Sequence, residues 1–277
     1  MNSHRFILLC LAGWISIQLS AVVLFAQTPK YPLKTGYLHV PENVEIVSNE
    51  IDLIIHLHGA SAVVEKNIVG SRPNVAWVNL TLPGLSSVYR NHFQDAEVFP
   101  STLNEVRQKL RAILNNQKLQ IRHLTLMSFS AGFGGVRELL KQPAAVAKID
   151  AIVMADSLYA GFVGEFSDRK LNEAHLKPFL SFAKLAAKGS KQMLLSYTQL
   201  FTPNYASTKE TGTYLIHKLG GTRNEERKSR SKVLVELSRF KLGKFNAYEF
   251  EGATGEDHMN HLRFIHLFLD EIQTRSP

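Results

Sequence analysis

Cysteine is nearly absent: the 277-residue chain has one, Cys10, and it lies within the first 26 residues. No disulfide can therefore staple residues 27–277, whose stability must come from a buried core. A chain of this length can supply one, in an oxidising compartment as well as a reducing one. Cys10 also stands too near the start to be a lipoprotein attachment site. Zinc-finger, RNA-binding and phosphate-loop patterns are lacking too, so the net charge of +8 reads as solvated surface charge and not as a nucleic-acid footprint. The basic residues are spread along the chain, with one denser stretch at residues 223–244. There is no internal repeat, low-complexity segment or long linker. With 45% apolar and 20% charged residues, the composition is that of one globular domain.

One long apolar run is present, and it stands at the start. His4 and Arg5 precede residues 6–25, and Ala26 is followed by the polar Gln27, Thr28, Pro29 and Lys30. This is the layout of a signal peptide cleaved after Ala26, which implies a secreted or periplasmic domain at residues 27–277. Leu24 departs from the small-x-small cleavage rule, and the run is nearly long enough to span a bilayer. An uncleaved membrane anchor at residues 6–25 is thus the alternative.

Downstream, short apolar runs at residues 51–57, 75–80, 124–128, 151–155, 193–197 and 246–250 predict strands buried on both faces, with residues 37–40 as an early addition. Helical spacing lies between them. Thr102 and Glu105 stand in capping-box spacing ahead of Val106, Leu110, Ile113 and Leu114, and a late stripe carries Leu262, Ile265, Leu269 and Ile272. Strand and helix in alternation predict an α/β fold, a mostly parallel central sheet with helices on both faces. In such a sheet ligands gather beyond the carboxyl ends of the strands.

One of those ends carries the sequence Ser128-Phe129-Ser130-Ala131-Gly132, a tight turn of small residues between a strand and a helical pattern. It resembles the nucleophile elbow of the α/β-hydrolases, Gly-x-Ser-x-Gly, with Ser128 in place of the first glycine. The bland alternative is a serine that caps the following helix. The resemblance implies the α/β-hydrolase fold, Ser130 as nucleophile, and an acid and a histidine later in the chain to activate it. Asp156, directly after the 151–155 strand, is the candidate acid, because the later strand at 193–197 continues without a carboxylate. A cap on the following turn is its ordinary alternative role. His258, in the loop after the last strand, is the candidate base and His261 the alternative. Asp257 competes weakly as the orienting acid, since adjacent side chains seldom reach the needed geometry.

The segment His56-Leu57-His58-Gly59-Ala60-Ser61 resembles the His-Gly turn of esterases in the same superfamily. That resemblance implies an oxyanion hole from the N–H groups of Ala60 and Ala131, with Gly59 shaping the turn. His56, His58, His258 and His261 also permit a metal reading, but no further ligand follows at the spacing a site needs, so no metal is assigned. Residues 158–191, with Tyr159, Phe162 and Phe166, would form a short lid or a crossover insertion after the strand ending near Asp156. The resemblance thus implies an exported serine hydrolase that cleaves carboxylic esters through an acyl-enzyme, needs no cofactor and takes a small-molecule ester or acyl substrate. A peptidase, thioesterase or lactone hydrolase on the same side chains is the alternative within that chemistry. A non-catalytic binding protein on the same scaffold is the alternative outside it.

Overall fold

A computed structural model describes residues 28–273. The expected leader lies outside them, and among the described residues no helix is long and apolar enough to cross a membrane. Ten strands are found there: β1 (Lys30–Pro32), β2 (Tyr37–His39), β3 (Glu50–Leu57), β4 (Ala76–Leu80), β5 (Gln120–Phe129), β6 (Ala151–Ala155), β7 (Gln192–Tyr197), β8 (Asn224–Ser229), β9 (Val235–Leu242) and β10 (Phe245–Phe250). They form one sheet in the order β1-β2-β4-β3-β5-β6-β7-β10-β9-β8. The six strands from β4 to β10 in that order run parallel, and antiparallel pairs at each edge complete the sheet.

The central strands are continuous apolar runs because both of their faces are covered. In β3 the pleat sends Leu53, Ile55 and Leu57 into one core and Ile54 into the other. Asp52, the charge set among those apolar residues, is matched by Arg122 of β5 through two hydrogen bonds of 2.9 and 3.0 Å. Over the first face lie α2 (Ser86–Gln94), α3 (Val98–Ile113), α4 (Phe133–Leu139), α5 (Pro143–Lys148), α6 (Glu173–Ala187) and α7 (Thr208–Lys218), which contribute Phe93, Val106, Leu139, Phe179 and Leu215 to its core. Over the second lie α1 (Ser61–Ser71), α8 (Gly255–Arg263) and α9 (His266–Leu269), contributing Ile68, Leu262 and Phe268. Each such side chain, fully buried, contributes about 1.5–3 kcal/mol.

Several expectations need adjustment. Thr102 does not open a helix: α3 begins four residues earlier, where Asp95 accepts from the Glu97 and Val98 amides, and the Thr102 hydroxyl bonds back to the Val98 carbonyl within the helix. The basic stretch at 223–244 is largely the β8–β9 hairpin. Every β8 side chain is exposed, so no alternation of buried positions marks it as a strand. The late stripe is buried as a unit, but over two short helices with a break at Phe264. After β6, the element that packs on the sheet is the crossover helix α6, through Leu176, Phe179, Phe182 and Ala183.

Candidate active site

The ends of β5 and β6 are neighbours, since Ser128 pairs with Met154 and Phe129 with Ala155. Each strand is followed at once by a residue forced into the left-handed region, Ser130 at φ 46° and Asp156 at φ 42°. Non-glycine residues hold such a conformation only where surrounding contacts impose it, and these outliers concentrate at functional sites.

The contacts that impose it on Ser130 are visible. A Cβ on Gly132 would lie 2.5 Å from the Leu57 carbonyl oxygen and 2.7 Å from Ser128 Oγ, and one on Gly134 would lie 2.1 Å from the Ser86 carbonyl oxygen. Small residues after Ser130 are thus required by the approach of the turn to β3 and of α4 to α2. Ser128, fully buried, takes the place of a glycine and adds a function to it. Its hydroxyl lies 2.5 Å from Ser157 Oγ, and Ser157 in turn donates to the Ser130 carbonyl at 2.8 Å. The Ser157 proton is committed to that carbonyl, so Ser128 is the donor in the first bond. The chain of hydroxyls ties the end of β6 to the bend at Ser130.

Ser130 does not cap the helix that follows: α4 has Gly132 at its N-cap and no side-chain cap bond. Asp156 does not cap its own turn either. Its carboxylate is fully buried and reaches across the sheet, accepting from the Thr198 amide at 3.2 Å, from Thr198 Oγ1 at 2.9 Å and from Thr208 Oγ1. Its fourth partner is His258, whose Nδ1 lies 2.7 Å from Oδ2. Burial opposes ionisation of Asp156, but the His258 hydrogen bond, the neighbouring imidazoles and the Thr208 hydroxyl outweigh it and hold the carboxyl below its ordinary value. An ionised acceptor at Nδ1 fixes that proton and leaves the His258 Nε2 lone pair available in the neutral ring.

His258 and His261 are three residues apart on α8 and meet different surroundings. His258 keeps some exposure and stacks on Phe129, with ring centroids 4.6 Å apart. His261 is fully buried, with Nδ1 2.8 Å from Ser196 Oγ, and burial pushes it down to about 4. It is a neutral packing residue wedged against Phe250 and Phe268. Asp257 is spent on a capping box with Thr254 at the start of α8.

Ser130 and His258 face one cavity of about 430 Å³, together with Ala131, Phe133, Tyr159 and Tyr205. The Ser130 hydroxyl makes no hydrogen bond to another described residue. Of the three residues expected to hold an oxyanion, Ala131 lines this cavity. Gly59 and Ala60 sit at the β3–α1 junction, outside its lining. His56 donates from Nε2 to the His58 carbonyl at 2.5 Å, and His58 Nδ1 lies 3.1 Å from the Tyr89 hydroxyl. Among the described residues no three His, Cys, Asp or Glu side chains come together as a metal site. Ser157, Thr198 and Thr208 were not anticipated, because hydroxyls 1, 42 and 52 residues from Asp156 have no spacing that announces them.

No protein-family model matches the chain, and no curated protein matches it in sequence. Solved structures do. A siderophore hydrolase, EstB, from Aspergillus nidulans is similar over 91% of this chain and 97% of its own, at 12% identity and a TM-score of 0.51. A dienelactone hydrolase from Anabaena variabilis is similar over 89% and 97%, at 11% identity and a TM-score of 0.45. An uncharacterised protein from Capnocytophaga ochracea is similar over 88% of this chain and 63% of its own, at 10% identity and a TM-score of 0.46. The chain thus spans nearly all of the first two and 63% of the third. Taken with the parallel sheet flanked by helices, the first likeness shows the fold: this chain has the α/β-hydrolase fold.

Proposed function

We propose that this chain is a serine hydrolase that cleaves carboxylic esters through an acyl-enzyme, with Ser130 as nucleophile, His258 as base and Asp156 as the orienting acid. The observation that carries the reading is the 2.7 Å contact between the buried Asp156 carboxylate and His258 Nδ1, on a histidine that shares a cavity with the strained Ser130. In this scheme Ser130 Oγ attacks the ester carbonyl as its proton passes to His258 Nε2. The tetrahedral intermediate then collapses, and the imidazolium returns that proton to the departing alkoxide. A water molecule, deprotonated by the same imidazole, releases the acid and restores Ser130. The Ala131 N–H would hold the oxyanion. The adjoining turn at residues 58–60 follows Leu57, which is paired with Ser128, and is the neighbour from which a second donor, at Gly59 or Ala60, would come.

That hydrolases share the fold supports a hydrolase here, while the ester is the simplest substrate for such a triad. We also propose export, on the leader-like residues 1–26 and the cysteine-free remainder, with retention by residues 6–25 as the alternative. The test is covalent. A fluorophosphonate should label the wild type and fail on Ser130→Ala, which should lose at least about a thousandfold in kcat/KM on short p-nitrophenyl esters. A wild type that is neither labelled nor active on ester, amide or thioester panels would leave a binding protein as the better reading.

A further inference from the structure

The cavity beside Ser130 is apolar on most of its wall and cationic on one side. Arg137, on α4, is 9% exposed and lines it, as does His175 of α6. Among the described residues the acid beside the guanidinium is Glu138, 3.8 Å from Nε, and both Glu138 oxygens already accept from Lys141 at 2.8 and 2.9 Å. The guanidinium makes no hydrogen bond to a described residue. It lies 5.6 Å from the centroid of Phe133, one turn nearer Ser130, so it leans back along the helix toward the reacting serine. Arginine stays charged even when burial lowers its pKa, as it does here against the opposing effect of Glu138.

His175 presents a second donor. Its Nδ1 accepts from the Gly161 amide at 3.0 Å, which leaves the proton of the neutral ring on Nε2. That nitrogen lies 3.4 Å from the Asn172 amide nitrogen, while the Asn172 oxygen is turned to the Ala174 amide at 3.2 Å. The ring therefore holds a proton that Asn172 does not accept. Burial, and after it the positive charges of Arg137, Lys141 and Arg90, hold His175 below its ordinary value against the opposing charge of Glu138.

We propose that this cavity selects esters that carry a carboxylate a few bonds from the scissile carbonyl, held by Arg137 in a charge-assisted pair with His175 as a second donor. From Ser130 to Arg137 the helix advances about 10 Å, and the side chain reaches back over part of it. That span suits the monoester of a short dicarboxylic acid, or an aryl ester whose leaving group bears the carboxylate. Leu85 and Tyr205, which line the same cavity and are 73% and 45% exposed, leave an apolar rim for the uncharged end. The proposal rests on Ser130 being the nucleophile of this cavity.

The test compares pairs that differ in charge but little in shape. Monomethyl glutarate against methyl hexanoate places the carboxylate on the acyl side. 4-Carboxyphenyl butyrate against 4-methylphenyl butyrate places it on the leaving group. In at least one pair kcat/KM should favour the anion by about ten- to hundredfold, the worth of a charge-assisted hydrogen bond, and the preference should shrink as salt is raised. Arg137→Met should abolish the preference, Arg137→Lys restore part of it and His175→Gln reduce it, with melting curves confirming the fold of each. Neutral esters cleaved as fast as their anionic partners by the wild type would overturn the selectivity and leave the serine mechanism intact. If no ester is cleaved and Ser130 is unlabelled, the hydrolase reading fails by itself. Calorimetric binding of glutarate, lost in Arg137→Met, then supports the anion site, and its absence from the wild type overturns it.

Discussion

The sheet has a cavity near each end, and they differ little in size. One, of about 430 Å³, opens beyond the carboxyl end of β5 beside Ser130. The other, of about 500 Å³, lies around the amino ends of β5 and β6 and is lined by Phe99, Leu103, Arg107, Arg122 and Lys148. Both hold cations in their walls. At the amino end Arg122 is bound to Asp52 through two hydrogen bonds, Arg107 donates to Asn104, and Asp150 accepts from the Leu124 amide. These are bonds that hold strands and helix in place. The carboxyl end instead has two left-handed backbone residues, a buried carboxylate tied to an imidazole, and an arginine without a hydrogen-bonded acceptor among the described residues. Volume and charge therefore do not set the candidate site apart. The left-handed backbone and the buried carboxylate–imidazole pair do.

The sharpest way to break this contrast is Asp156→Asn. It keeps the shape of the side chain but removes the charge that holds the His258 proton on Nδ1. Hydrolysis is expected to fall by about a thousand- to ten-thousandfold, measured as kcat/KM on a p-nitrophenyl ester. A loss of less than tenfold would show that the acid lies elsewhere.

A second test sets the two imidazoles of α8 apart. Burial depresses His261, and also His56, to about 4. In the unfolded chain a histidine titrates near 6.5, so as pH falls through that value the unfolded state takes up protons that the folded state refuses. Stability is full above about pH 6.5, declines toward pH 4 and levels below it. Each group contributes a slope of about 1.4 kcal/mol per pH unit in that window. Asp156, held below its ordinary value, adds a further loss in stronger acid. Urea midpoints between pH 7 and 4.5 should show the decline, and His261→Asn should flatten it. A decline that this variant leaves unchanged would count against a buried neutral His261.

The smallest effect on activity is expected at the amino-end cavity. Arg122→Ala strips the partner from Asp52 and should cost about 1–3 kcal/mol in chemical denaturation, with kcat/KM within about twofold of wild type. A larger loss of activity would mean that the two ends are coupled.

Much of this was legible in residue order. Apolar runs marked the central strands because a doubly covered strand tolerates little else, and the small residues around Ser130 marked the bend because larger ones would collide with Leu57 and Ser86. The edge hairpin escaped notice because its outer strand, β8, has no buried face. Thr102 misled because a capping pattern inside a helix looks the same as one at its start, and the helix had already begun at Val98. Position put His258 first, as the nearer to the glycine-containing loop, and left His261 open, since both stand after the last strand and three residues apart.

By itself, then, the sequence determined the α/β alternation, the bend at Ser130 and the short list of groups able to serve it, all of which follow from local periodicity and residue size. Only tertiary structure decided which imidazole met Asp156, that Ser157, Thr198 and Thr208 would hold the bend at Ser130 and the Asp156 carboxylate, and that Arg137 would line the cavity without a hydrogen-bonded acceptor among the described residues. Those outcomes depend on which strands become neighbours, and hydrogen bonds across dozens of residues leave no periodic trace in the chain.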